Sequence, residues 1–245
     1  MNFRKAMAVV IAMASMIAAS TVEAHAVTGP NVGATQLSGA KVHALVDPGT
    51  AKGIQRMTTA EAVAPVEKAV DLVNRGVVQL HLGAGKTAVT TRAQAYAAGN
   101  LTSVRIPVEG SDIIAPSNVL VFFGADGTLR TYLESQFSPL TADSGKVTVW
   151  ADGKLRGVKY AYNDGTVSDT PSTGSGEVIA QSWWGRFSDC LNSMGVAGWI
   201  INAIGAVCAI ACIITAGAGC VACALTVAAG LSWEFTYCAA KADNG

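Results

Sequence analysis

From Cys190 to Trp233 the chain runs for 44 residues without one charged side chain. A stretch of this kind has to hide in its own packing, against a partner surface or in lipid, because water is a poor solvent for it. Gly195 to Ile214 reads as one apolar helix. Cys220 to Tyr237 reads as a second, interrupted near its end by Glu234, with Thr215-Ala-Gly-Ala-Gly219 as the turn between them. Each segment is close to the roughly 20 residues needed to cross a hydrocarbon core, and a buried helix pair in a soluble module fits the same pattern. Upstream, Trp183, Phe187, Cys190, Leu191 and Met194 share one face of a shorter helix.

All six cysteines, Cys190, Cys208, Cys212, Cys220, Cys223 and Cys238, lie in the last 56 residues. An even, clustered set in an exported chain implies a disulfide framework. Zinc is the competing use of Cys220-Val-Ala-Cys223, but both close cysteine pairs sit in apolar sequence, and no Asp or Glu occurs between Cys190 and Trp233 to complete a site. Cys208 and Cys212 share one helix face, as do Cys220 and Cys223, so a fold-back at the Gly-rich turn lets the faces meet. Distance from the turn then suggests the nested pairing Cys212–Cys220, Cys208–Cys223 and Cys190–Cys238, one of about 15 connectivities that six cysteines permit.

Export is read from the other end. Arg4 and Lys5 precede an uncharged run, Ala6 to Ala19, and Ala24-His25-Ala26 offers a small-x-small cleavage site, with Val22-Glu23-Ala24 as a second. Residues 1–26 are therefore expected to be a signal peptide and the product to be secreted. The whole chain holds 17 basic and 17 acidic residues, a balance that argues against nucleic acid as a partner. Charge is unevenly spread: residues 27–180 carry 13 of each sign, whereas residues 181–245 carry only Arg186, Asp189, Glu234, Lys241 and Asp243. Two units are expected, a β-rich domain at 58–163 and a Cys-rich apolar helical domain at 181–245. A lead-in at 27–57 and a small, polar linker at 164–180 flank the first.

Within the β-rich domain, Thr58-Thr-Ala-Glu61 fits a capping box, Val66, Val70 and Val73 recur at helical spacing, and Gly76 suits the stop. Pro65 is expected to break this helix or to open a second one. Strands are expected at 77–81, 101–108, 117–123, 128–137, 146–151 and 154–162, where β-branched and aromatic residues concentrate. Asp126-Gly127, Asp152-Gly153 and Asp164-Gly165 suit tight turns with both central residues at positive φ. The fold class is α+β: an antiparallel β-rich domain with one helix, able to fold without the tail, then a disulfide-stapled helical hairpin or three-helix module.

No constellation for catalysis emerges. His81-Leu-Gly-Ala-Gly-Lys86-Thr87 lacks the first glycine of a phosphate loop, since that position is Leu80. No G-x-S-x-G elbow surrounds a serine. The scattered carboxylates flank turns. No enzyme, cofactor or metal is expected.

The layout of signal peptide, polar linker, then Cys208-Ala-Ile-Ala-Cys212, Cys220-Val-Ala-Cys223 and Cys238 among Gly, Ala and Ile resembles the halocin-like bacteriocin precursors over residues 181–245. The resemblance implies a secreted antimicrobial precursor whose released Cys-rich peptide acts on a target cell membrane or membrane receptor. The upstream region would then shield the peptide or confer immunity, through intramolecular contact with the tail. The alternative is a cell-envelope protein with a helical-hairpin membrane anchor and an outward β-rich binding module. Either way the six cysteines should be paired. Alkylation of the native secreted protein without reductant should add no mass, and six added groups would contradict the framework.

Overall fold

Local signals place the first helix. The Thr58 hydroxyl oxygen accepts the Glu61 backbone N–H, and the Glu61 carboxylate accepts the Thr58 backbone N–H at 2.9 Å, so two donors at the open helix end are satisfied reciprocally. The side-chain hydrogen bond from Thr58 holds the Glu61 carboxyl below the usual carboxylate range. Helix α1 (Thr59–Asn74) follows, and Gly76, at φ 70°, ends it. Pro65 lies inside α1 and does not break it. The bond its missing N–H forfeits would have reached Glu61 in the first turn. The capping box and the burial of Ala69 and Leu72 hold the remainder.

The computed structural model describes residues 54–171 and 183–215 and positions 219, 223, 227, 237, 238 and 241, all within the unit Gln36–Gly245. The expected signal peptide at 1–26, most of the lead-in and most of the second apolar segment at 220–237 lie outside the described residues. Nine strands form one antiparallel sheet: β1 (Ile54–Arg56), β2 (Lys86–Ala88), β3 (Gln94–Ala98), β4 (Leu101–Gly110), β5 (Ile114–Gly124), β6 (Leu129–Pro139), β7 (Ser144–Ala151), β8 (Lys154–Tyr162) and β9 (Val167–Ser168). Their order is β1-β3-β4-β5-β6-β7-β8-β9, with β2 paired to β4 beyond the end of β3. From β3 onward the sheet is a meander, the expected topology.

Two short strands arise where none is expected. Ile54–Arg56, in the lead-in, pairs with β3, and Val167–Ser168, in the linker stretch, pairs with β8. Strand β3 is also invisible to composition, because Gln94-Ala-Tyr-Ala-Ala98 holds one aromatic and no β-branched residue, and β2 (Lys86-Thr-Ala88) is too short to give a pattern. Conversely, Val77–His81 is not a strand. Val77 and Val78 donate their backbone N–H groups to the Leu72 carbonyl at the end of α1, at 3.0 and 3.1 Å, while Gln79 donates to the Tyr132 hydroxyl at 3.1 Å and His81 to the Glu134 carboxylate at 2.7 Å.

The Asp-Gly turns divide by mechanism. Asp152 (φ 50°) and Gly153 (φ 72°) are both left-handed, as a two-residue β7–β8 hairpin requires. At the other two only Gly127 and Gly165 have positive φ. Asp126 and Asp164 instead accept the backbone N–H of Thr128 and Thr166, at 3.0 and 2.8 Å, in side-chain turns.

Both faces of the central strands are buried, so β4, β5 and β6 each hide a run of consecutive side chains. Helix α1 covers one face, over Val104, Ile106, Val108, Val119, Val121 and Phe123. The other face presents Leu120, Phe122, Leu133, Phe137, Val147 and Val149, and it shares one core with the tail helices α2 (Trp183–Ser193) and α3 (Gly198–Ile214). Helix α3 begins three residues later than its apolar run, because Gly195 turns at φ 85° and Ala197 is extended. The tail therefore completes the core of the β-rich region. A chain ending at Thr170 is expected to melt without a sharp transition, while the full mature chain melts cooperatively; equal cooperativity in both would contradict the shared core.

Candidate functional site

The tail meets the sheet through a few residues with distinct tasks. Eleven residues of α3 are buried, from Gly198 and Trp199 to Ala211 and Cys212, and this spread reaches most of the way round the helix. A helix apolar on all sides has to be enclosed on all sides. The sheet does this on one flank, where α3 lies over β6, β7, β8 and β9, and α2 packs on another. Among the described tail residues, Leu191, Ile201, Ile204 and Val207 are fully enclosed.

Trp199 sets the depth of docking. Its indole lies flat against the backbone of β7 at Gly145, where an added Cβ would fall 2.1 Å from Trp199 Cζ3. Any side chain at 145 would displace the ring. The position is a packing requirement, since Gly145 is not at positive φ. Trp199 itself is 2 % exposed, and full burial of a large apolar side chain contributes about 1.5–3 kcal/mol.

Asn163 sets the start of α3. The residue at the N-cap is Ala197, whose side chain cannot cap. Asn163, in the β8–β9 turn, supplies the missing acceptor: its Oδ1 takes the Trp199 backbone N–H at 2.8 Å. Asn163 is held in turn by Asp143, whose carboxylate accepts its Nδ2 at 2.7 Å and whose carbonyl accepts its backbone N–H at 2.9 Å. One turn further on, Asn202 Nδ2 donates to the Tyr162 carbonyl at 2.8 Å. The sheet thus caps a helix in a segment distant along the chain.

The cysteines staple the tail to itself. Cys190 bonds to Cys238 and Cys208 to Cys223, with Cα separations of 5.5 and 5.4 Å. Both are pairs of the nested set. Cys212 is also disulfide-bonded; the pair expected for it involves Cys220, which lies outside the described residues. Closing loops with sequence separations of 15 and 48 residues restricts the unfolded chain by about 3 and 4 kcal/mol, taken singly. These bonds place the folded chain in an oxidising compartment.

A second polar constellation lies on the α1 face, and sequence reading missed it. Glu134 is wholly buried. One carboxylate oxygen accepts the His81 backbone N–H, and the other accepts Gln136 Nε2, which also donates to the His81 carbonyl at 3.1 Å. Lys86 Nζ reaches Gln136 Oε1 at 2.8 Å and Asp112 at 3.0 Å. The His81 ring stacks on Trp150 with centroids 5.0 Å apart. With both carboxylate oxygens occupied by donors, the cluster is a clamp for the 77–83 segment. It also explains Lys86, which faces protein acceptors and no phosphate loop. Among the described residues no group of three or more His, Cys, Asp or Glu is placed to hold a metal ion.

Comparison with protein-family models, characterised proteins and solved structures gives no match. The physical site stands on its own residues. None of Gly145, Asn163 and Trp199 carries a motif, and only the loop position of an Asn before Asp-Gly marks Asn163 as a turn residue.

Two substitutions test the docking. Gly145→Ala should cost about 2–3 kcal/mol in urea unfolding, because the added methyl overpacks a rigid indole. In a strand without that ring the same change would be neutral or mildly stabilising. Asn163→Ala should cost about 1 kcal/mol, the usual loss of a helix cap.

Proposed function

We propose that this chain is a secreted, bacteriocin-like antimicrobial precursor in which the β-rich region shields a membrane-active, Cys-rich tail until the two are separated. One observation carries the reading: the apolar surface of α3 and the Leu120–Val149 face of the sheet bury each other, and the sheet supplies the cap that α3 lacks. A tail that only needed anchoring would have no use for a cap from another region. The layout shared with halocin-like precursors supports the same division of labour.

In this reading the tail is a disulfide-stapled helical hairpin turned at Thr215 to Gly219. Separation at the polar linker leaves it with an apolar surface that has lost its cover. No helix among the described residues is long and apolar enough to cross a membrane. At 17 residues α3 is about 26 Å long, short of a core of about 30 Å. The tail therefore acts by lying in and disordering the bilayer, or by assembling there. Its cations, Arg186 and Lys241, are outnumbered by Asp189, Glu234 and Asp243, so binding depends on apolar burial more than on attraction to anionic lipid.

The test uses the whole oxidised chain with a specific protease site placed between Ser172 and Gly176. Uncut protein should release little dye from lipid vesicles, and cut protein should release it. Ile204→Lys should abolish that release, since a charge in the middle of α3 costs roughly 2.5–3.5 kcal/mol on entering lipid. Uncut Gly145→Ala should leak more than uncut wild type, because its cover is loosened. If cut protein releases no dye and inhibits no strain in a broad panel, the cell-envelope reading replaces this one.

A further inference from the structure

Arg105 stands in the middle of β4 between Val104 and Ile106 and is only 5 % exposed. Its direct partner across the sheet is Leu120, so it lies on the face that the tail covers further along. Its Nε has no hydrogen-bond partner, and among the described residues no carboxylate is within ion-pair distance of it. A buried guanidinium without a counter-charge is strongly unfavourable unless an anion joins it. Burial pushes Arg105 down to about 10, with Tyr96 pulling the other way and Arg92 adding to the fall; it remains cationic at neutral pH.

Arg105 also lines a cavity of about 480 Å³ at the β4–β5 hairpin, a volume typical of small-molecule sites. The charges around it select the ligand. Arg92 is on the wall but is paired with Glu109, which cancels it. One net positive charge remains, on Arg105. Gln94, also on the wall, adds a donor, because its Oε1 is taken by the Tyr96 hydroxyl at 2.8 Å and what its side chain has left to offer is the amide N–H groups. Pro107, Ile113, Ile114 and Ala115 form an apolar wall beside these groups.

We propose that this cavity binds a small monocarboxylate with an aliphatic body, its carboxylate on Arg105 and its chain on the Pro107–Ile114 wall. A phosphate monoester fits less well, since it brings nearly two negative charges to a site with one positive charge. The site is separate from the docking of α3 at Gly145 and Asn163, and it does not depend on an antimicrobial role.

Octanoate, acetate and inorganic phosphate are titrated calorimetrically into the full mature, oxidised chain. Octanoate should bind one to one. Acetate should bind at least about tenfold more weakly, because it lacks the apolar body, and phosphate should also be weaker. Arg105→Gln should weaken octanoate at least about tenfold. Because Arg105 is buried, Ala115→Trp is measured beside it: Ala115 is exposed at the mouth, so the indole should close the cavity without loss of folding. Failure of octanoate to bind at millimolar concentration would overturn the assignment. So would undiminished binding by either folded variant, or phosphate binding as tightly as octanoate.

Discussion

The contact on which the structure turns is Trp199 against Gly145, fixed in register by Asn163. It lets a helix with almost no polar face lie close enough to a sheet for each to remove the other from water. The glycine provides the approach, and the indole provides the area. Asn163 answers the backbone donor that Ala197 leaves open. Without the approach, α3 would stand off the sheet, and Phe137, Val147 and Val149 would lose the layer that covers them.

The rest of the fold follows from a sheet buried on both faces. Strands β4 to β6 have to be apolar on alternate sides, and the exceptions mark special positions. Glu134 is buried on the α1 face and is matched by donors from His81 and Gln136, so its charge organises a segment that forms no strand. Arg105 is buried on the tail face, where its Nε has no hydrogen-bond partner and no carboxylate among the described residues pairs with it. Ser103, Asn118 and Ser135 each hold a buried side-chain oxygen without a partner in these same three strands. That polar stretch contrasts with the dry contact under α3, where Leu133, Phe137 and Val147 meet Ile201, Ile204 and Val207.

Much of this was legible in the sequence, for identifiable reasons. The capping box at Thr58 and Glu61, the stop at Gly76 and five of the strands are local signals that tertiary packing did not override. Both described cysteine pairs follow from distance to a turn. The misreadings have causes too. Pro65 sits where only one helical bond is forfeited, and Val77–His81 looks like a strand but bonds to the end of α1 and to side chains of β6. Arg105, between Val104 and Ile106, and Glu134, between Leu133 and Ser135, were passed over because a charged residue within a strand normally faces water. The core that the sheet shares with the tail is not visible in the sequence because the strand pattern shows that a face is apolar, not what covers it. Gly145 carries no composition signal and Asn163 only that of a turn residue, since their roles in docking exist only in the docked arrangement.

Two readings of the β-rich region thus become one. Its apolar face is half of a core whose other half is the tail, so the region that covers the tail is also the region the tail covers. This coupling is what the proposed precursor role requires: each part is hidden only while the other is present. Amide hydrogen exchange on the full mature, oxidised chain measures it directly. If the two halves open as one unit, the amides of Ile201–Ala211 and those of β6 to β8 will exchange with the same free energy of opening, and Gly145→Ala will lower both together. Exchange of Ile201–Ala211 through a separate opening, with β6 to β8 still protected and unmoved by Gly145→Ala, would contradict the account.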